Sequence, residues 1–219
     1  MGPRSYFDKE LTNLFESLKE MGYLVEEAID NSIRALTEHN TELAQKVIEN
    51  DDLIDKMETD IEEKCIKLIA TQQPLAGDLR EIFTTLKIIT DLERIADHAV
   101  DIAKVSIRLA DQKYIKPLID IPRMADLARE MVRDCLKAYM NKDVELANSI
   151  CQKDDIIDGL YKQIFRELLV YMMEDPKTIN QATQFLFVSR FLERIGDHTT
   201  NVCEWVIYNV TGKKTDLNL

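Results

Sequence analysis

Glu93 and Asp97 stand four residues apart in Leu92-Glu93-Arg94-Ile95-Ala96-Asp97-His98, and Glu193 and Asp197 repeat that spacing in Leu192-Glu193-Arg194-Ile195-Gly196-Asp197-His198, one hundred residues later. On a helix this spacing puts two carboxylates on one face, one turn apart. Like charges so placed repel, so each pair must face water, take up a proton or hold a cation. A second kind of acidic pair recurs as well: Asp51 and Asp55 lie in Asp51-Asp52-Leu53-Ile54-Asp55, which returns as Asp154-Asp155-Ile156-Ile157-Asp158. Each half of the chain therefore carries D-x-x-x-D followed by E-x-x-x-D. Asp101 extends the first row by another turn, where the second copy has Asn201.

Four carboxylates on one patch are an all-oxygen, hard donor set. Such a set suits iron, manganese, magnesium or calcium better than zinc or copper(I). One Arg94 or Arg194 cannot neutralise four acids, whereas a divalent or trivalent cation can. The plain alternative is a helix surface of solvated acids paired with Lys and Arg. What favours the cation is that the pairs persist in both copies while neighbouring positions differ, as at Lys56 against Gly159. His98 and His198 fall about 100° round the helix from the aspartates and read as solvated rather than as ligands.

The elements that must position these acids follow from apolar periodicity. Phe7, Leu11, Leu14, Leu18, Met21, Val25, Ile29 and Ile33 mark a first helix from Tyr6 to about Thr37. A second, with Thr41 as its expected N-cap, runs to about Thr71. Gln72-Gln73-Pro74 breaks it, and a third spans about Leu75 to Asp111. The prolines at Pro117 and Pro122 mark the boundary between halves. Beyond them the pattern repeats: Glu42-Leu43-Ala44 becomes Glu145-Leu146-Ala147, and Asp175-Pro176 replaces the break at Pro74. The reading is all-α: two three-helix bundles in tandem duplication, 1–115 and 116–219. Helices near thirty residues exceed the globular mean of about 11–12, but up-and-down bundles accommodate them.

On helical wheels Glu93 falls inside the apolar arc of the third helix, with Asp97 at its edge. Asp51 and Asp55 are in phase with Ala44, Ile48, Ile66 and Ile69. Asp154 and Asp158 are in phase with Ala147, Ile150 and Phe165. A bare carboxylate in such surroundings protonates or finds a partner.

Composition bounds the function classes. A net charge of −12 speaks against general nucleic-acid binding, which needs basic surface, and suits cations or basic partners. No run of 18 apolar residues offers a membrane span. Met1-Gly2-Pro3-Arg4-Ser5-Tyr6 lacks a signal-peptide core, and Tyr6 fails the myristoylation pattern; a cytoplasmic location is expected. Cys65, Cys135, Cys151 and Cys203 lie far apart with no CxxC and read as reduced, mostly buried residues rather than a disulfide or thiolate metal site. There is no GxxxxGK[ST] loop and no Ser-His-Asp arrangement. A carboxylate-bridged di-iron enzyme is the alternative to a non-catalytic protein, but such bundles add Glu-x-x-His. Here Ala96 and Gly196 occupy the third position after Glu93 and Glu193.

With the repeat established, the chain resembles the PhoU family of bacterial phosphate-uptake regulators. The resemblance runs from the first helix to about Gly212. It rests on Gln73-Pro74-Leu75-Ala76-Gly77-Asp78-Leu79-Arg80, on Asp91-Leu92-Glu93-Arg94-Ile95-Ala96-Asp97, and on the second copy followed by Asn201. Ala96 in place of the frequent Gly, and Asp101 in place of Asn, are departures in the first half. The resemblance implies pseudo-twofold symmetry between bundles. It implies surface motifs that bind multinuclear iron, with manganese, magnesium or zinc as other metals. Asp51, Asp55, Glu93 and Asp97 would serve in one half, Asp154, Asp158, Glu193 and Asp197 in the other, with Asp101 as a further ligand. It also implies a non-enzymatic negative regulator joining the ATPase subunit of a phosphate ABC transporter to a sensor histidine kinase. A homodimer or a monomer–dimer mixture is expected, with no nucleic acid and no membrane insertion.

Overall fold

A computed structural model describes residues 3–215. The N-terminal reading rests partly on Met1 and Gly2, which lie outside the described residues. Six long helices account for most of the chain: α1 (Pro3–Thr37), α2 (Thr41–Gln72), α3 (Ala76–Leu109), α4 (Asp120–Asn141), α5 (Val144–Glu174) and α6 (Ile179–Thr211). Among the described residues there is no strand.

Local chemistry sets the boundaries. Asn40 rather than Thr41 caps α2: its side chain accepts from Leu43 N at 3.0 Å. The expected cap is thus displaced by one residue, because the amide oxygen of Asn40 reaches the third residue ahead, as N-caps do. Asp143 caps α5 in the same way, accepting from Leu146 N at 2.9 Å. The helix α2 stops at Gln73, whose φ of 47° is left-handed, just before Pro74. The end of α6 needs such a turn too, and there Gly212 supplies it at φ 71°. At Asp175-Pro176 a short 3-10 turn, Pro176–Thr178, feeds α6.

Helices α1–α3 pack together, as do α4–α6. The two sets also meet, α3 against α6 and α1 against α4. One apolar core crosses the join, with Leu14, Leu18, Ile61, Leu92, Met131, Ile157 and Phe185 fully buried in one cluster. Burying each such side chain is worth about 1.5–3 kcal/mol. Polar contacts tie the halves as well. The Tyr139 hydroxyl on α4 lies 3.1 and 2.9 Å from the hydroxyls of Thr84 and Thr85 and donates to Glu81 O at 2.9 Å, all on α3. The linker 110–119 is pinned at its middle, to α1 and to α6: Tyr114 donates to Leu36 O at 2.6 Å, and Ile115 N donates to Gln181 Oε1 at 2.6 Å. The division at 115/116 therefore separates two sequence repeats that share one core.

Candidate metal centre

The acids form two ridges, one in the groove between α2 and α3, the other between α5 and α6. In the first, Glu93 is tucked inward with 17% of its side chain exposed, and Asp97 is 42% exposed. Asp51 is half-buried and Asp55 is exposed. The apolar phase partners divide likewise: Ala44 is buried, whereas Ile66 and Ile69 are exposed. The D-x-x-x-D face therefore straddles the rim of the groove rather than facing the core. Arg94 caps the row, with Nε 3.3 Å from Glu93 Oε2 and Nη1 donating to Asp97 Oδ2 at 2.9 Å. Asp101 stands at the far end, 3.4 Å from Lys104 Nζ.

The second ridge is tighter. Glu193 is 8% exposed, and Arg190 pairs with its Oε1. Asp154 is half-buried against α6, where Thr200 Oγ1 donates to its Oδ2 at 3.4 Å. Its other oxygen points at Gly196: a Cβ there would lie 2.2 Å from Asp154 Oδ1. The absent side chain is what lets this carboxylate lie down against the helix. Asp158 is held by Lys162 at 3.2 Å. Asp197 is half-buried beside it.

The electrostatics follow from crowding and partial drying. Burial, then repulsion from Asp55 and Asp97, lifts the Asp51 carboxyl to about 6. Burial, then Asp97, lifts Glu93 to about 7 against the pull of Arg94. Burial, then Asp197 and Asp158, lifts Asp154 to about 7. Glu193 and Asp197 are also raised, chiefly by burial. Each ridge thus brings its four expected acids within electrostatic reach of one another. Among the described residues, four buried polar side-chain atoms lack a hydrogen-bond partner, and two are Asp154 Oδ1 and Glu193 Oε2. Leaving such oxygens unmatched is costly, and a hard cation is the partner that two inward carboxylates suit. Still, among the described residues no three His, Cys, Asp or Glu side chains are grouped around a single ion position. The carboxylates must rotate together before one ion can take several of them.

The histidines are not solvated, contrary to expectation. His98 and His198 lie between α3 and α6, ring centroids 5.7 Å apart. His198 Nδ1 donates to Asp91 Oδ1 at 2.9 Å, and Asn201 Nδ2 reaches the same oxygen at 3.3 Å. His98 stacks on Phe191 instead, and burial lowers its pKa. A wheel for one helix places them off the acidic face but carries no information about the helix that covers them.

The PhoU domain profile matches residues 18–106 and again 121–206. The chain belongs to the PhoU family. It is 49% identical to the phosphate-specific transport system accessory protein PhoU homolog of Clostridium acetobutylicum, over 98% of this chain and 99% of that one. It is 45% identical to the homolog of Aquifex aeolicus, over 85% and 84% of the two chains. The crystal structure of PhoU from Pseudomonas aeruginosa superposes with a TM-score of 0.90 at 39% identity, covering 94% of this chain and all of the other. The phosphate transport system regulatory protein PhoU of Streptococcus pneumoniae gives 0.89 at 33% identity, covering 96% and 99%. The PhoU duplication and all-helical fold are thus present in this chain.

Three residues at the ridges went unnoticed in the sequence: Glu58, Thr200 and Arg190, which pairs with Glu193 where Arg194 was the arginine considered. Glu58 adds another nearby acid to the first ridge, raising Glu93 and accepting from Thr90 Oγ1 at 3.1 Å. Its spacing, seven residues after Asp51, was the available signal. The corresponding pair in the second half is Tyr161 with the Arg190 guanidinium 5.8 Å from its ring centroid. Thr200, bonded to Asp154, gave no signal beyond its phase on α6.

Proposed function

We propose that this PhoU-family chain is a metal-binding regulator that restrains high-affinity phosphate uptake. It would act without catalysis, as an adaptor between the ATPase subunit of a phosphate ABC transporter and a sensor histidine kinase at the cytoplasmic face of the membrane. The observation that carries the metal part is the pair of ridges: partly dried carboxylates in mutual repulsion, two of their oxygens buried and unpartnered. Asp51, Asp55, Glu93 and Asp97, flanked by Asp101, would hold cations in one half; Asp154, Asp158, Glu193 and Asp197 would do so in the other. A cation, iron first and manganese, magnesium or zinc otherwise, would supply charge neutralisation there. Arg94 and Arg190 hold the inward glutamates meanwhile, and Gly196 keeps the floor of the second ridge open. The transport part is supported by the names of the relatives, accessory proteins of phosphate-specific transport. Among the described residues no helix is long and apolar enough to cross a membrane, which suits contact through partners.

The test is complementation of a bacterium deleted for its own PhoU and carrying a phosphate-starvation reporter. The wild-type chain should silence the reporter in high phosphate. A variant with Glu93, Asp97, Glu193 and Asp197 all changed to Ala, present at equal level, should leave it on. Silencing by that variant would remove the ridges from the mechanism, and a wild type that leaves the reporter on would contradict the regulatory reading.

A further inference from the structure

All four cysteines are free thiols, but they are not equivalent. Cys65 is alone in the first half, and burial pushes it up to about 12. Cys151 on α5 and Cys203 on α6 stand on the facing sides of the helix pair, near enough for each thiol to shift the other's titration, and the Cys151 thiol donates to Ala147 O at 3.4 Å. Cys203 is fully buried, whereas Cys151 is partly open to solvent. The helices come close here. One turn further along α5, Asp154 touches both Thr200 and the Cα of Gly196. This antiparallel register places position 151 opposite position 203. The duplication puts Ile48 and Ala103 at the matching places in the first half, so the first half carries no such pair.

We propose that Cys151 and Cys203 are a peroxide-oxidisable pair that closes to a disulfide linking α5 to α6 beside the second acidic ridge. The Cys151 sulfur, the reachable one, attacks a peroxide O–O bond. An S–O bond forms, and the departing oxygen leaves as water once protonated. The Cys203 sulfur then attacks the sulfenic sulfur, forming S–S and expelling the second oxygen as water with the Cys203 proton. Two thiols lose two electrons, and one hydrogen peroxide becomes two waters. Interaction with Cys203 lowers the Cys151 pKa while that of Cys203 is raised. Cys151 is partly open to solvent and Cys203 is buried, which assigns Cys151 as attacking and Cys203 as resolving thiol. The pairing stands on the α5–α6 register and holds whether or not the ridge binds metal.

The experiment treats full-length protein with hydrogen peroxide, blocks remaining thiols with N-ethylmaleimide, and counts them by intact and peptide mass spectrometry. Two of the four thiols should disappear, a peptide pair joining Cys151 to Cys203 should be found, and dithiothreitol should restore both. Cys65 should stay free as an internal control. In Cys203→Ala, Cys151 should stop at sulfenic acid that dimedone traps; in Cys151→Ser, no cross-link should form. Four thiols retained in the wild type would overturn the proposal. So would Cys151 passing directly to sulfinic acid, or a disulfide joining Cys151 residues of two chains.

Discussion

The two acidic ridges carry the same four carboxylates and differ in their surroundings. In the first, Ala96 fills the helix face, Asp51 lies half-buried, and Arg94 engages both Glu93 and Asp97. In the second, Gly196 leaves a notch, Asp154 settles into it with one oxygen unmatched, and Arg190 pairs with Glu193 while also acting on Asp197. The first ridge also has extra acids, Glu58 and Asp101, where the second has Tyr161 and Asn201. The first carries more negative charge, and the second is more deeply buried. One local difference is a methyl group, present at Ala96 and absent at Gly196, where a Cβ would lie 2.2 Å from Asp154 Oδ1. The lesson is that duplication preserved the donors while the packing around each set diverged.

The largest test of that contrast is pH. Asp51, Glu93 and Asp154 keep their protons to about 6, 7 and 7 when folded, against roughly 4 when unfolded. Between those values the native state binds more protons, so their contribution to stability is complete below the unfolded pKa and is lost as pH rises through 6–7. Urea titrations of metal-free protein should show stability falling from pH 5 to pH 8. Asp154→Asn should flatten that fall more than Asp51→Asn. Equal flattening would erase the distinction between ridges.

Exchanging the methyl group comes next. In Gly196→Ala, Asp154 must rotate out of the notch, because the new Cβ would lie 2.2 Å from its Oδ1. Removing glycine from a helix is worth about 1 kcal/mol, so the metal-free variant should gain roughly that much in denaturant unfolding, and the Asp154 carboxyl should titrate lower by NMR. Ala96→Gly should cost about 1 kcal/mol in turn. A loss of stability in Gly196→Ala would mean that Asp154 cannot leave and that the notch is rigid. The smallest effect belongs to Asp55→Ala: the side chain is exposed on the rim, and metal-free stability should move by less than about 0.5 kcal/mol.

Much of this was legible before any coordinates. Apolar periodicity and the breaks at Pro74 and Asp175-Pro176 gave six helices in order, and the repeat paired them. The wheels placed Glu93 inward and Asp97 at an edge, as found. What escaped was everything that depends on a neighbouring helix. His98 and His198 meet at the α3–α6 contact, and no single-helix pattern encodes which faces the halves turn to each other. Asp91 reads as one more surface acid until His198 is set against it. The role of Gly196 depends on Asp154, over forty residues away in sequence. The cap at Asn40 was missed by one residue because Asn and Thr both favour that position.

The measurement that tests the central claim most directly is metal content by mass spectrometry. The protein would be purified without a His tag or chelator, beside the variant with Glu93, Asp97, Glu193 and Asp197 changed to Ala. Stoichiometric iron or manganese in the wild type and none in the variant is the predicted result. No metal in either, even after anaerobic reconstitution with iron(II), would contradict the account and return both ridges to solvated helix surface.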